Sequence, residues 1–170
     1  MNVSGLLKSS LGAKRTYNIN ENIKINDKDT SVRGKAVLMR TNRGILVRAD
    51  LDTEVELECS RCLGPFRTCL QLHFEDEFFP VINVTTGAAL ALPDEPGVFT
   101  IDAQHTLDLT EAVRQYVLVA APMKPLCRED CAGLCPVCGR NLNQEKCQCS
   151  SQQVDPRWSK LNKLLHDSQH

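Results

Sequence analysis

The chain has 170 residues, of which 42% are apolar and 5% aromatic, with a formal net charge of −1. That length allows one ordinary core, or a domain with an appended module, and about two thirds of the unfolded surface can be buried. The charge balance excludes a protein coated in basic residues, although a local basic patch stays possible. No apolar run approaches the roughly 18 residues that span a bilayer. The opening MNVSGLLKSSLGAKR lacks the apolar stretch of a secretory signal. The expected compartment is therefore the cytoplasm, where disulfides are rare. The nine cysteines then point first to metal.

Residues 1–30 are polar and Asn-rich, and predict either a first strand over Tyr17–Ile25 or a loosely attached arm. The pattern from Val32 to Val81 is β. Runs at Val32–Met39 and Gly44–Ala49 flank the turn signal Arg40-Thr-Asn-Arg-Gly44. Leu51, Thr53, Val55 and Leu57 alternate with Asp52, Glu54, Glu56 and Glu58, the period of a strand with one buried face. Phe66, Thr68, Leu70, Leu72 and Phe74 alternate in the same way. The short link Cys59-Ser-Arg-Cys-Leu-Gly-Pro65 between them predicts a hairpin. A β-rich domain over 31–121 follows, with an antiparallel meander of about four strands.

Residues 83–100, with two prolines and two glycines, predict a loop. Asp108-Leu-Thr-Glu111 has the form of a capping box, and Leu109, Ala112, Val113, Tyr116, Val117 and Ala120 have helical spacing. A helix over 108–121 is expected, ended by Pro122 and Pro125. A cysteine-rich segment occupies 122–150. A tail over 151–170 carries a last helix that starts at Asp155-Pro156 and has an apolar side of Trp158, Leu161, Leu164 and Leu165. The fold class expected is α+β: an antiparallel meander or open barrel-like domain with one packed helix, a zinc knuckle and a short C-terminal helix.

Six thiols lie between Cys127 and Cys149. Cys135-Pro-Val-Cys138-Gly139 has knuckle form: two intervening residues let both thiolates face one ion, and the glycine permits a tight turn. The leading ligand set for one structural Zn2+ is Cys135, Cys138, Cys147 and Cys149. Cys127 and Cys131 with Cys135 and Cys138 form the alternative. Such a closed shell leaves no position to activate water. It supplies folding free energy to a segment with few large apolar side chains. Cys59 and Cys62 admit three readings: turn cysteines, a redox pair, or half of a second metal site completed by Cys127 and Cys131. A redox pair fits poorly, because thioredoxin-type motifs belong at a strand-to-helix junction. Cys69 has no evident role.

Arg33, Lys35, Arg40, Arg43 and Arg48 fall in an acid-free stretch, and five acids occupy the next nine residues. Cross-strand charge pairing on a solvated face is one reading. RNA or ribosomal-protein contact, with Arg61 added, is the other.

The segment Cys59-Ser-Arg-Cys-Leu-Gly-Pro-Phe66 resembles the C-x-R-C segment of the YceD family of bacterial and plastid proteins. So do the acidic Phe-rich run 74–80, the Ile101-Asp102 lead into Leu109, the Ala121-Pro-Met-Lys-Pro-Leu-Cys127 stretch, and the knuckle followed by Cys-x-Cys and Asp155-Pro-Arg157. The resemblance covers roughly residues 30–166. It implies support for accumulation of large-subunit (23S) ribosomal RNA, through RNA or ribosomal-protein contact, and it shifts functional weight toward Cys59, Arg61 and Cys62. No membrane and no small-molecule substrate are expected. No catalytic residues are assigned, because His73, His105, His166 and His170 are scattered and no paired-carboxylate or Ser-His-Asp pattern is visible. A zinc- or thiol-responsive regulator is the alternative.

Overall fold

The computed structural model describes residues 1–25 and 28–149. The element order is α1 (Ser4–Leu7), β1 (Lys14–Ile25), β2 (Lys28–Arg40), β3 (Ile45–Glu58), β4 (Pro65–Pro80), β5 (Phe99–Ile101) and α2 (Thr110–Ala120). The chain divides into two compact units. The first holds Met1–Leu57 and Pro65–Pro125. The second holds Glu58–Gly64 and the chain from Leu126.

In the first unit a curled sheet runs in the order β1-β2-β3-β4-β5. β1 pairs antiparallel with β2 from Lys14↔Met39 to Ile25↔Lys28. β2 pairs antiparallel with β3 from Val32↔Thr53 to Arg40↔Ile45. The contacts of Asp50 with His73 and of Glu54 with Arg67 run in opposite directions along β3 and β4. β5 joins β4 in parallel at Phe78↔Phe99. One face of this sheet makes the core. On β3 the residues Ile45, Val47, Ala49, Leu51, Thr53 and Val55 are buried and alternate with half-buried Leu46 and then exposed residues. Leu72 and Phe78 do the same on β4, and each is worth about 1.5–3 kcal/mol of burial. Ala112, Val113 and Val117 form the buried side of α2. Tyr116 of α2 stacks on Phe74 of β4 with ring centroids 4.5 Å apart.

Three details differ from the sequence pattern. The runs 44–49 and 51–57 form one strand, because Asp50 continues the alternation on the solvent face, where it meets His73 at 2.8 Å. The capping box does not form. Leu109 occupies the cap position, and Asp108 Oδ1 instead accepts from Thr110 N at 2.9 Å and Thr110 Oγ1 at 2.7 Å. Glu111 bonds forward to Arg114 and Gln115. Two short elements, α1 and β5, carry too few residues for a period. α1 is held by its buried Leu6 and Leu7, and β5 by the stack of Phe99 on Phe78 at 5.1 Å. Residues 14–25 form a paired strand, the first of the two forms open to the N-terminal region. The expected helix after Asp155-Pro156 lies outside the described residues.

Gly34 stands in β2 between Ile19 and Leu51 of the neighbouring strands. Its φ is +151°, and a Cβ there would lie 2.1 Å from the Asp50 carbonyl oxygen. The close approach of β2 to β3 therefore requires glycine. Gly34→Ala should lower stability by about 2 kcal/mol or more in urea unfolding followed by circular dichroism. Gly87→Ala, with positive φ but open space around it, should cost only about 1–2 kcal/mol.

Candidate metal centre

Among the described residues, the second unit contains almost no buried aliphatic side chains. Its buried residues include Cys59, Cys131 and Cys135. Sulfur occupies the positions that leucine and valine fill in the first unit.

The first part of the site is the turn between β3 and β4. Cys59 N donates to Gly64 O at 2.9 Å, and Leu63 N donates to Cys59 O at 2.9 Å. Leu63 takes a φ of 54° to close it. This tight turn puts the Cys59 and Cys62 thiols on one side, where Cys127 and Cys131 meet them. Cys59 Sγ lies 3.8 Å from Cys131 Sγ, and Cys62 Sγ lies 3.8 Å from Cys127 Sγ. Arg61 Nη1 donates to the Cys131 carbonyl at 2.9 Å and the Glu129 carbonyl at 3.3 Å. Gly133, with φ of 75°, lets its backbone pass the Arg61 carbonyl, which a Cβ would approach to 3.1 Å.

The second part is the knuckle. Gly139 N donates to Cys135 O at 2.9 Å, Cys135 N to Arg140 O at 2.8 Å, and Val137 N to Cys135 Sγ at 3.4 Å. Cys138 stands beside Cys135, and Cys147 Sγ lies 3.4 Å from Cys135 Sγ. Cys149 completes the group.

Two sets of four sulfurs result: Cys59, Cys62, Cys127 and Cys131, and Cys135, Cys138, Cys147 and Cys149. Within each set all sulfurs lie within 4.8 Å of one another. A tetrahedral ion with metal–sulfur bonds of about 2.3 Å needs sulfur–sulfur edges of about 3.8 Å. The measured separations fit that edge, and they are far longer than the roughly 2.05 Å of a disulfide. Both sets can hold a metal ion. Cys127 and Cys131 thus lie with the hairpin pair rather than with Cys135 and Cys138, the grouping that stood among the three readings of Cys59 and Cys62. Cys69 is exposed on β4 and belongs to neither.

The electrostatics of each set are divided. In the first, the Cys127 amide, then the Cys62 amide, lowers the Cys59 thiol to about 6, while burial, then a hydrogen bond with Cys131, raises Cys127 to about 12. In the second, the amides of Cys138 and Val137 lower Cys135 to about 6. A hydrogen bond with Cys138, then burial, raises Cys149 to about 12. Without a cation, the four sulfurs of a set cannot all be thiolates, because their mutual repulsion and burial disfavour charge. A bound dication removes that cost and displaces the protons.

Asn143, which the sequence pattern did not single out, ties the segment together. Its Oδ1 accepts from Ala132 N at 2.8 Å and from Arg128 Nη2 at 2.7 Å, and its Nδ2 donates to Cys131 Sγ at 3.3 Å. An asparagine a few residues past a knuckle is a weak signal in sequence, since only the fold brings it back to the earlier cysteines.

The basic residues are dispersed. Arg33 and Lys35 stand opposite Asp52 and Asp50 in the β2–β3 register, and Arg48 pairs with Glu75. Arg40 and Arg43 flank the turn after β2, where Arg43 lies 4.8 Å over the Phe79 ring. Arg61 is engaged in the second unit. Among the described residues no helix is long and apolar enough to cross a membrane.

The family model described as "Large ribosomal RNA subunit accumulation protein YceD" matches residues 47–165. An uncharacterized protein of Mycobacterium tuberculosis (strain ATCC 25618 / H37Rv) is 34% identical over 124 residues, covering 73% of this chain and 57% of that protein. An uncharacterized protein of Mycobacterium leprae (strain TN) is 30% identical over 124 residues, covering 71% and 53%. The chain therefore spans little more than half the length of these relatives. The "Large ribosomal RNA subunit accumulation protein YCED homolog 1, chloroplastic" of Arabidopsis thaliana is 30% identical over 63 residues, covering 37% and 20%. No solved structure matches.

Asn143→Ala keeps all the thiols but removes the amide on Cys131. In protein purified without chelator, alkylation of Cys131, mapped by mass spectrometry, should become about tenfold faster. Cys138 and Cys149 should keep their rates.

Proposed function

Given that the chain belongs to the YceD family, we propose that it is a non-catalytic factor supporting synthesis, processing or stability of large-subunit (23S) ribosomal RNA, and that it acts by contact with that RNA. The carrying observation is the family match over residues 47–165, whose description names accumulation of an RNA and no chemical reaction. Two features agree with a binding role. A metal ion held by four cysteines has no open coordination position, so neither set offers an activated water. The described histidines, His73 and His105, belong to neither set. Contact with a large-subunit ribosomal protein is a second form of the same role. It is favoured by Val119 and Met123, which are 80% and 100% exposed at and beyond the end of α2.

The ion proposed for both sets is zinc. A tetrahedral four-sulfur site suits Zn2+, which brings no redox chemistry and no geometric demand of its own. Cys59, Cys62, Cys127 and Cys131 would hold one ion, and Cys135, Cys138, Cys147 and Cys149 the other. Each ion would supply folding free energy, on the order of 10 kcal/mol in small zinc modules. The Arg61 and Asn143 contacts orient the first set, as outer partners do in metal sites.

Cells lacking the chain should show a lowered ratio of large- to small-subunit ribosomal RNA, restored by the wild-type chain and poorly restored by Cys59→Ser. In sucrose gradients the tagged protein should travel with large-subunit precursor particles and leave them as salt is raised. An unchanged RNA ratio in the deleted cells would contradict the proposal. The zinc assignment has its own check in a chelator competition across pH. Cys127 and Cys149, held as thiols, must each release a proton on binding. Apparent affinity should therefore fall at least about tenfold per pH unit between pH 8 and 6, and more steeply below about 6, where Cys59 and Cys135 also take up protons.

A further inference from the structure

A cavity at the turn joining β2 to β3 lies wholly within the first unit and contains none of the cysteines. Its volume is about 460 Å³, within the range of roughly 300–1,000 Å³ that small ligands occupy. Phe79, Leu90 and Leu92 give it apolar lining, and Arg40, Arg43 and Asn42 give it polar lining. Among the described residues no carboxylate lines it.

The two arginines are differently placed. Arg40 Nη1 donates to the Gly44 carbonyl at 2.8 Å, but its Nε is buried without a hydrogen-bond partner. That Nε is closed to solvent, so Arg40 serves the cavity through the charge of its guanidinium, for which an anionic oxygen is the favoured partner. Arg43 is exposed, with its guanidinium 4.8 Å over the Phe79 ring. A guanidinium held over a ring in this way can still offer N–H groups to a phosphate. Glu77, the acid next along β4, accepts from Thr41 Oγ1 at 2.5 Å. Leu90 and Leu92 stay 39% and 42% exposed, although each touches the cavity.

We propose that this cavity binds one unpaired nucleotide of RNA, with the phosphate on Arg40 and Arg43 and the base against Phe79, Leu90 and Leu92. Paired arginines with an apolar platform are the chemistry by which proteins hold splayed single-stranded nucleotides. Asn42 adds a side chain that both donates and accepts, which suits a base edge better than the apolar side chain of a peptide. The inference rests on the RNA-contact reading above, and it gives that reading a location.

The test is fluorescence anisotropy of the full chain with a labelled single-stranded RNA of about 12 nucleotides, and with its duplex, at roughly 50 to 200 mM salt. The single strand should bind tighter. Arg43→Ala should weaken binding at least about tenfold and reduce the salt slope by about one. Arg114→Ala, which removes the same charge from α2, should leave affinity unchanged. Arg43 is exposed, so its loss leaves the fold intact, which circular dichroism checks. Equal losses in the two variants would mean diffuse attraction and would overturn the site. Wild-type binding untouched by Arg43→Ala and Arg43→Glu would overturn the site while leaving RNA contact standing. No RNA binding by the wild-type chain would overturn both. Failure to bind RNA, together with Arg43-dependent capture of a leucine-terminated peptide, would reassign the cavity to protein recognition.

Discussion

Eight cysteine sulfurs are gathered into two groups, each too tight for four thiolates to share without a cation. The second unit depends on this constraint. Between Leu126 and Cys149 the large aliphatic residues are few, and Val137 is 66% exposed. Hydrophobic burial of the kind that holds Leu72 and Phe78 in the first unit is not available to that segment. The tight turns at Leu63, Gly133 and Gly139 are arranged to aim sulfur inward, and the amides they free point at Cys59 and Cys135. Coordination of the proposed ions would replace the missing core, as in other modules too small to bury enough apolar surface.

The first sulfur group has a further consequence along the chain. It joins Cys62 to Cys127, which are 65 positions apart. The loop so closed contains β4, β5 and α2. A proposed ion held there would act as a crosslink of that span and restrict the unfolded chain, because closure entropy grows with loop length. The chain leaves the first unit at Glu58, returns at Pro65 and leaves again after Pro125.

The meander was legible in the sequence because its strands are long and half-buried. Over Ile45–Glu58 the alternation of Val47, Ala49, Leu51, Thr53 and Val55 with charged partners is a direct image of inside and outside. α2 was legible for the corresponding reason, a helical stripe through Ala112, Val113 and Val117. The short α1 and the three-residue β5 were not, because each is held by contacts from distant residues such as Leu6 in the core and Phe78 beneath Phe99. The knuckle quartet could be read from spacing alone, since all four cysteines lie close together in sequence. The partners of Cys59 and Cys62 stayed open among alternatives, because two close thiols do not say which others the fold will deliver. Asn143 and the cavity around Arg40 were hidden for the same reason. The acid-free stretch from Arg33 to Arg48 admitted cross-strand pairing or a contact patch, and only the strand register sets Arg33 and Lys35 against Asp52 and Asp50 and leaves Arg40 and Arg43 at the turn.

If two closed four-sulfur zinc sites fold the second unit, as proposed, native mass spectrometry of chain expressed without added metal and purified without chelator should show a mass increase of two zinc ions on the wild-type chain, and one ion each on Cys59→Ser and Cys138→Ser. A wild-type chain that carries no metal, or a single ion retained by Cys59→Ser and lost by Cys138→Ser, would contradict it.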